Sequence, residues 1–122
     1  SMPSNAYERL GRVAPGPLAD VVLGDLNGHS CSAAFTEWVA WAFRWRGYTV
    51  AVNDPYVGQD LLREFGDPAR GRESLQIEVN RGIYLDEQTR ELLPRADDLR
   101  ADIADVLQDL AAFIRNATPP LL

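Results

Sequence analysis

Glu78 lies in the stretch Ser74-Leu75-Gln76-Ile77-Glu78-Val79-Asn80-Arg81-Gly82-Ile83-Tyr84, where apolar and polar residues alternate. Leu75, Ile77 and Val79 would form one face of a short strand, and Gln76, Glu78 and Asn80 the other. An amide, a carboxylate and an amide in a row, closed by Arg81, suit the wall of a pocket. The same row also suits the solvated side of a half-exposed edge strand. Asn53, Tyr56 and Arg81 are the groups fitted to orient a substrate near Glu78. A guanidinium fork matches a substrate carboxylate, and a tyrosine following Asn53-Asp54-Pro55 stands on a loop able to close over a ligand. Plainer roles are open to both: Arg81 as a structural ion-pair partner, Tyr56 as a residue packed on its own loop.

Several chemistries are poorly supplied. A zinc site needs three or four converging His, Cys, Asp or Glu ligands, and the chain has one histidine, His29, and one cysteine, Cys31, two positions apart in a glycine-containing loop. They read as a loop histidine and a buried thiol, so no metal ligand is assigned within the chain. A Ser-His-Asp device would need His29 as its base, yet no Gly-x-Ser-x-Gly elbow is present. Glycine-rich phosphate loops are also missing. The formal net charge is −6 and all 12 basic residues are arginine, without a basic cluster, which argues against a nucleic-acid partner. No apolar run approaches the ~20 residues of a membrane span. A lone thiol fits a reducing compartment, so the expected location is cytoplasmic.

The elements that must hold Glu78 can be read in outline. Its 122 residues match one domain in size. Residues 1–18 read as connecting material with one helical turn at most. Ala19–Leu23 is a short β-branched run ended by Gly24-Asp25. Ser32 is a candidate N-cap for a helix to about Arg46, stopped by Gly47, and Tyr48–Val52 follows as a second strand. Trp38, Trp41 and Trp45 recur at helical spacing and read as core packing. Gln59–Phe65 forms two helical turns before Gly66, and Asp86 caps a short helix through Leu93. After Pro94, Leu99, Ile103, Val106, Leu110 and Phe113 mark a long amphipathic helix whose Asp98, Asp102, Asp105 and Asp109 form a solvated face. Thr118–Leu122 is expected to fray. The fold class that follows is α/β, part of a mainly parallel sheet flanked by helices. Three strands make a small sheet that needs further cover, so the fold is expected to be incomplete.

Three blocks resemble, in order and spacing, the N-formylglutamate amidohydrolase family. They are Gly24-Asp25 with Gly28 and Ser30-Cys31, Asn53-Asp54-Pro55-Tyr56 with Gly58, and Leu75-Gln76-Ile77-Glu78-Val79-Asn80-Arg81 with Tyr84 and Asp86-Glu87. The opening Ser1-Met2-Pro3-Ser4 is similar to the segment that follows a metal-binding histidine in that family, a histidine not found here. The resemblance implies a zinc-carboxypeptidase-like (phosphorylase/hydrolase-like) fold, with residues 1–122 as the C-terminal portion of a single hydrolase domain. It implies cleavage of N-formyl-L-glutamate into formate and glutamate by a zinc-activated water. The zinc ligands would come from outside this segment, from a missing N-terminal portion or a partner chain, so that this chain alone is inactive. Glu78 matches the position of the carboxylate that takes the proton from the water and returns it to the leaving amine. Asn53, Tyr56 and Arg81 match motif positions near the expected pocket for a small acidic N-acyl amino acid. Two positions depart from the pattern: Gln59 stands where a second glycine is common, and His29 where threonine is common. Both bear on substrate choice, leaving another N-acyl amino acid or a peptide as the alternative. A non-catalytic binding or assembly module that lacks the metal half is the rival of a different class.

Overall fold

The computed structural model describes residues 1–117. Three strands form one sheet in the order β2-β1-β3, with β1 at Val21–Gly24, β2 at Val50–Val52 and β3 at Gln76–Val79. β1 is buried throughout, as a β-branched run between two neighbours should be. β1 and β2 are parallel, with Val21 opposite Val50. β1 and β3 are antiparallel, with Val21 opposite Val79 and Val22 opposite Glu78. The sheet is therefore mixed, which corrects the expectation of a mainly parallel one. Alternation reports which faces a strand has but not its direction. Between β2 and β3 the chain carries only the short helix α3, Leu61–Phe65, and a 3₁₀ turn at Pro68–Arg70, so no long crossover helix returns it to a parallel start.

Two helices cover one face. In α2, Ala33–Trp45, the Ser32 hydroxyl accepts from the Phe35 amide at 3.2 Å, the N-cap expected from sequence. Phe35, Val39, Ala42 and Phe43 of α2 join Val21 and Leu23 of β1 in the core, together with Leu99 and Val106 of α4, Arg95–Ala117. Residues of β3 on the same side, Ile77 and Val79, pack against this cluster. By alternation Val22, Gln76 and Glu78 face the other way. The preceding segment carries a single-turn helix, α1, Ala6–Arg9, in agreement with one helical turn before β1.

The tryptophan stripe is not core packing as a whole. Trp38 stacks on Phe113 of α4, centroids 5.0 Å apart at 15°, but Trp41 and Trp45 are 55% and 75% exposed and stack on each other at 6.0 Å. The sheet takes one side of α2 and α4 the next, and no third described element reaches the remaining side. Asp86 also departs from its expected role. Its Oδ1 accepts from the amides of Gln88 and Thr89, closing a turn rather than a helix, while Leu85 and Leu92 form an isolated bridge. A helix through Leu93 is absent because that bridge pulls the two ends of the segment together. The expectation for Thr118–Leu122 lies outside the described residues.

The aspartate row of α4 divides. Asp98 and Asp105 are exposed, but Asp109 pairs with Arg46 at 2.7 Å and Asp102 accepts from the Tyr48 hydroxyl at 2.5 Å. Burial and the Asp102 hydrogen bond push the Tyr48 phenol up to about 12 from its usual 10.0. A raised folded pKa means that the folded state holds this proton more tightly than the unfolded chain. The contribution is complete below pH 10 and is lost as pH rises toward 12. We expect a loss of about 2 kcal/mol over that window, read as a falling Tm with tyrosinate absorbance rising in step. The Tyr48→Phe variant should lack this tyrosinate signal and show a shallower alkaline fall.

Candidate functional site

Glu78 opens onto a cavity of about 370 Å³ on the sheet face away from α2 and α4. Its walls come from Ser1–Pro3, from Pro55–Gln59 and from Gln76 and Glu78 of β3. The N-terminal segment is held there by main-chain bonds: the Met2 amide donates to the Val79 carbonyl at 2.9 Å, and the Arg81 amide donates to the Met2 carbonyl at 2.8 Å. Farther on, the Tyr7 hydroxyl and the Arg12 guanidinium both reach the Asp54 carboxylate, at 2.8 and 3.0 Å, tying the segment to the opposite loop. That loop lies hard against β1. A Cβ on Gly24 would stand 2.7 Å from the Gly58 nitrogen, so only glycine allows the loop carrying Tyr56 to approach this closely.

Within the cavity the Glu78 carboxylate is half-buried. Its Oε2 is shielded from solvent and lies 3.1 Å from the Ser1 amine, an ion-pair contact without hydrogen-bond alignment. The Gln76 amide donates to Oε1 at 3.3 Å. Tyr56 and Gln59 lie in the wall with it. A carboxylate with a screened oxygen, facing a space of this size, can take a proton from a bound water or hold a cationic group.

The other two sequence candidates lie elsewhere. Arg81, in the 3₁₀ turn Arg81–Ile83, lines a separate cavity that shares no residue with the first. Asn53, with φ +58°, spends its side chain on Asp25. Its Oδ1 accepts from the Asp25 amide at 3.0 Å and its Nδ2 donates to Asp25 Oδ1 at 2.7 Å. Asp25 also accepts from the Gly28 amide at 2.8 Å and from the Thr36 hydroxyl at 2.8 Å. Burial works against its ionisation, but the hydrogen bonds from Asn53, Thr36 and Gly28 outweigh it and hold the carboxyl below the usual carboxylate range. In the sequence Asp25 stands in the turn that ends the first strand and in the first of the three family blocks, with no site role assigned to it. The signal was its place at the end of a β-branched run, three residues before Gly28, where an aspartate closes a turn onto main-chain amides.

Among the described residues no group of three or more His, Cys, Asp or Glu side chains could hold a metal ion. His29 Nδ1 is engaged by the Leu26 carbonyl at 2.7 Å. Cys31 is fully buried beside Thr36, and burial pushes its thiol up to about 11, far from the thiolate a metal needs. These residues do not fit a zinc site.

Residues 1–85 match the family model described as N-formylglutamate amidohydrolase. The chain belongs to the N-formylglutamate amidohydrolase family. It is 34% identical over 107 residues to an N-formylglutamate deformylase of Pseudomonas aeruginosa, covering 83% of this chain and 39% of that protein. It is 32% identical over 73 residues to one of Pseudomonas putida, covering 59% of this chain and 27% of that protein. The crystal structure of N-formylglutamate amidohydrolase from Ralstonia eutropha JMP134 superposes with a TM-score of 0.91 at 44% identity, over 97% of this chain and 42% of that one. The chain thus spans less than half the length of each of these relatives. The α/β arrangement of this chain, with its mixed three-stranded sheet, matches part of a solved member of the family. No described helix is long and apolar enough to cross a membrane.

Proposed function

We propose that this chain supplies the Glu78 face of a hydrolase that cleaves the linear amide bond of N-formyl-L-glutamate, giving formate and glutamate. The observation that carries the reading is the half-buried Glu78 carboxylate, opposite Tyr56 in a cavity built from residues inside the family match. Glu78 takes a proton from the water that attacks the formyl carbon and delivers it to the amine nitrogen as the C–N bond breaks, so one carboxylate serves both halves of the reaction. Tyr56 borders the space where the acyl amino acid lies.

A zinc-carboxypeptidase-like architecture belongs to this proposal, and so does zinc. Any such ion takes its ligands from residues other than those described, supplied by further polypeptide of the same chain or by a partner, because His29 and Cys31 are committed elsewhere. When bound, zinc would lower the pKa of the attacking water. Residues 1–122 are then one portion of a single hydrolase domain, working in the cytoplasm on a small acidic N-acyl amino acid. Gln59 in the wall of the Glu78 cavity favours one variant of the reading, in which another N-acyl amino acid or a peptide is cleaved. A substrate panel tests this, using the chain completed by the portion of the Ralstonia eutropha enzyme that the match leaves uncovered. We expect kcat/KM for N-formyl-L-glutamate to exceed that for N-acetyl-L-glutamate and for N-formylglycine. A reversed order would overturn the choice of substrate, and no turnover on any of them would favour a binding module.

A further inference from the structure

Beyond the C-terminal end of β3 lies a second cavity, of about 560 Å³, with three arginines in its walls: Arg9 from α1, Arg81 from the 3₁₀ turn, and Arg90 from the turn that follows. Glu87 is the acidic side chain of the same wall, and both its oxygens accept from the Ser4 amide at 3.2 Å. Three guanidinium groups against one carboxylate leave two positive charges facing the space. Arg9 donates to Asn5 at 3.0 Å. Neither Arg81 nor Arg90 makes a side-chain hydrogen bond or a salt bridge among the described residues. After the hydrogen bonds from Ser4, the charges of Arg81 and Arg9 help to hold the Glu87 carboxylate below its ordinary range, so one carboxylate is shared between them and Arg90 adds a further cation to the wall.

The backbone brings them together on purpose-built turns. The Asp86 amide donates to the Glu91 carbonyl at 2.9 Å and the Arg90 amide to the Asp86 carbonyl at 2.7 Å, while the Asp86 side chain caps the turn from within. Arg90 is held there at φ +64°, a left-handed conformation that costs a non-glycine residue about 1–2 kcal/mol. Three like charges around one cavity, with Glu87 the single anion in the wall, favour a further anion in the space between them. Leu85 adds an apolar surface to the cavity, whose volume exceeds the need of a single phosphate.

We propose that this cavity binds a small dicarboxylate of the glutamate type, its two carboxylates shared among the Arg9, Arg81 and Arg90 guanidinium forks and its methylenes lying on Leu85. Two charges on the ligand match the two left unbalanced in the wall, and planar forks suit carboxylates. The choice of a glutamate-type acid rests on the reaction proposed above, whose substrate and amino-acid product are both dicarboxylates. Arg81 was legible as a carboxylate partner, but Arg9 and Arg90 join it only in three dimensions.

Calorimetric titration of glutarate into the 122-residue chain at low ionic strength tests the site. Saturable binding is expected, weakened by added salt and weakened about tenfold in R90Q and again in R9Q. R90K, which keeps the charge and loses the fork, should fall between R90Q and the parent. Arg9 and Arg90 are both exposed, and should R90Q melt early, R9Q carries the same comparison. The site is overturned if glutarate shows no saturable binding, if R9Q and R90Q bind it as the parent does, or if inorganic phosphate binds at least as tightly. Glutarate binding that depends on Arg90, with no formate released from N-formyl-L-glutamate once the chain is completed by the uncovered portion of the Ralstonia eutropha enzyme, would uphold the site and remove the reaction. Formate release without glutarate binding would do the reverse.

Discussion

The Glu78→Gln variant of the completed enzyme is expected to lose about 10²- to 10⁴-fold in kcat while its fold and melting temperature stay close to the parent's. Glutamine has the size and shape of glutamate, and the side chain stands at the cavity wall rather than in the hydrophobic core, so packing is little disturbed. It cannot accept a proton from water. Its amide can still meet the Gln76 side chain. A loss confined to kcat would identify Glu78 with the proton transfers. A loss confined to KM would make it a binding group, and an undiminished kcat would remove it from the mechanism.

The largest effect on stability is expected at Asp25. In the Asp25→Ala variant the Gly28 amide, the Asn53 side-chain amide and the Thr36 hydroxyl all lose their acceptor in a site only 5% exposed. Leaving buried donors unpaired costs about 1–3 kcal/mol each, so a total of about 3 kcal/mol or more is expected in denaturant unfolding. Asp25→Asn should cost less. Its oxygen can replace Oδ1 toward Gly28 and Asn53 while its NH₂ faces Thr36, whose hydroxyl can turn to the Cys31 sulfur 3.0 Å away. The pH dependence follows the same geometry. A folded pKa held below the usual carboxylate range gives stability that is present above about pH 4 and is lost as pH falls through the folded value. Asp25→Asn should flatten that acid limb. A cost for Asp25→Ala no greater than that for Asp25→Asn would contradict the network.

Asp25 also shows where reading from sequence runs out. Strand β1, the Ser32 cap of α2 and the apolar stripe of α4 rest on local patterns, and they appear where periodicity and capping put them. The direction of β3 is not local: the alternation of Leu75 to Asn80 reads the same whichever way the strand runs. Asp86 carries a true capping signal, satisfied by a turn because Leu85 and Leu92 pair across it. Trp41 and Trp45 follow the helical period but find no described element to cover them. For the candidate site, Glu78 and Tyr56 line one cavity. Asn53 serves Asp25, and Arg81 faces Arg9 and Arg90, partners that no spacing along the chain connects.

Formate and glutamate, quantified together from N-formyl-L-glutamate, test the central claim most directly. The chain should release neither by itself. Combined with the uncovered portion of the Ralstonia eutropha enzyme it should release both in equal amounts, and Glu78→Gln should abolish most of that release. Equal release by the Glu78→Gln assembly, or none from a folded parental assembly, would contradict the account.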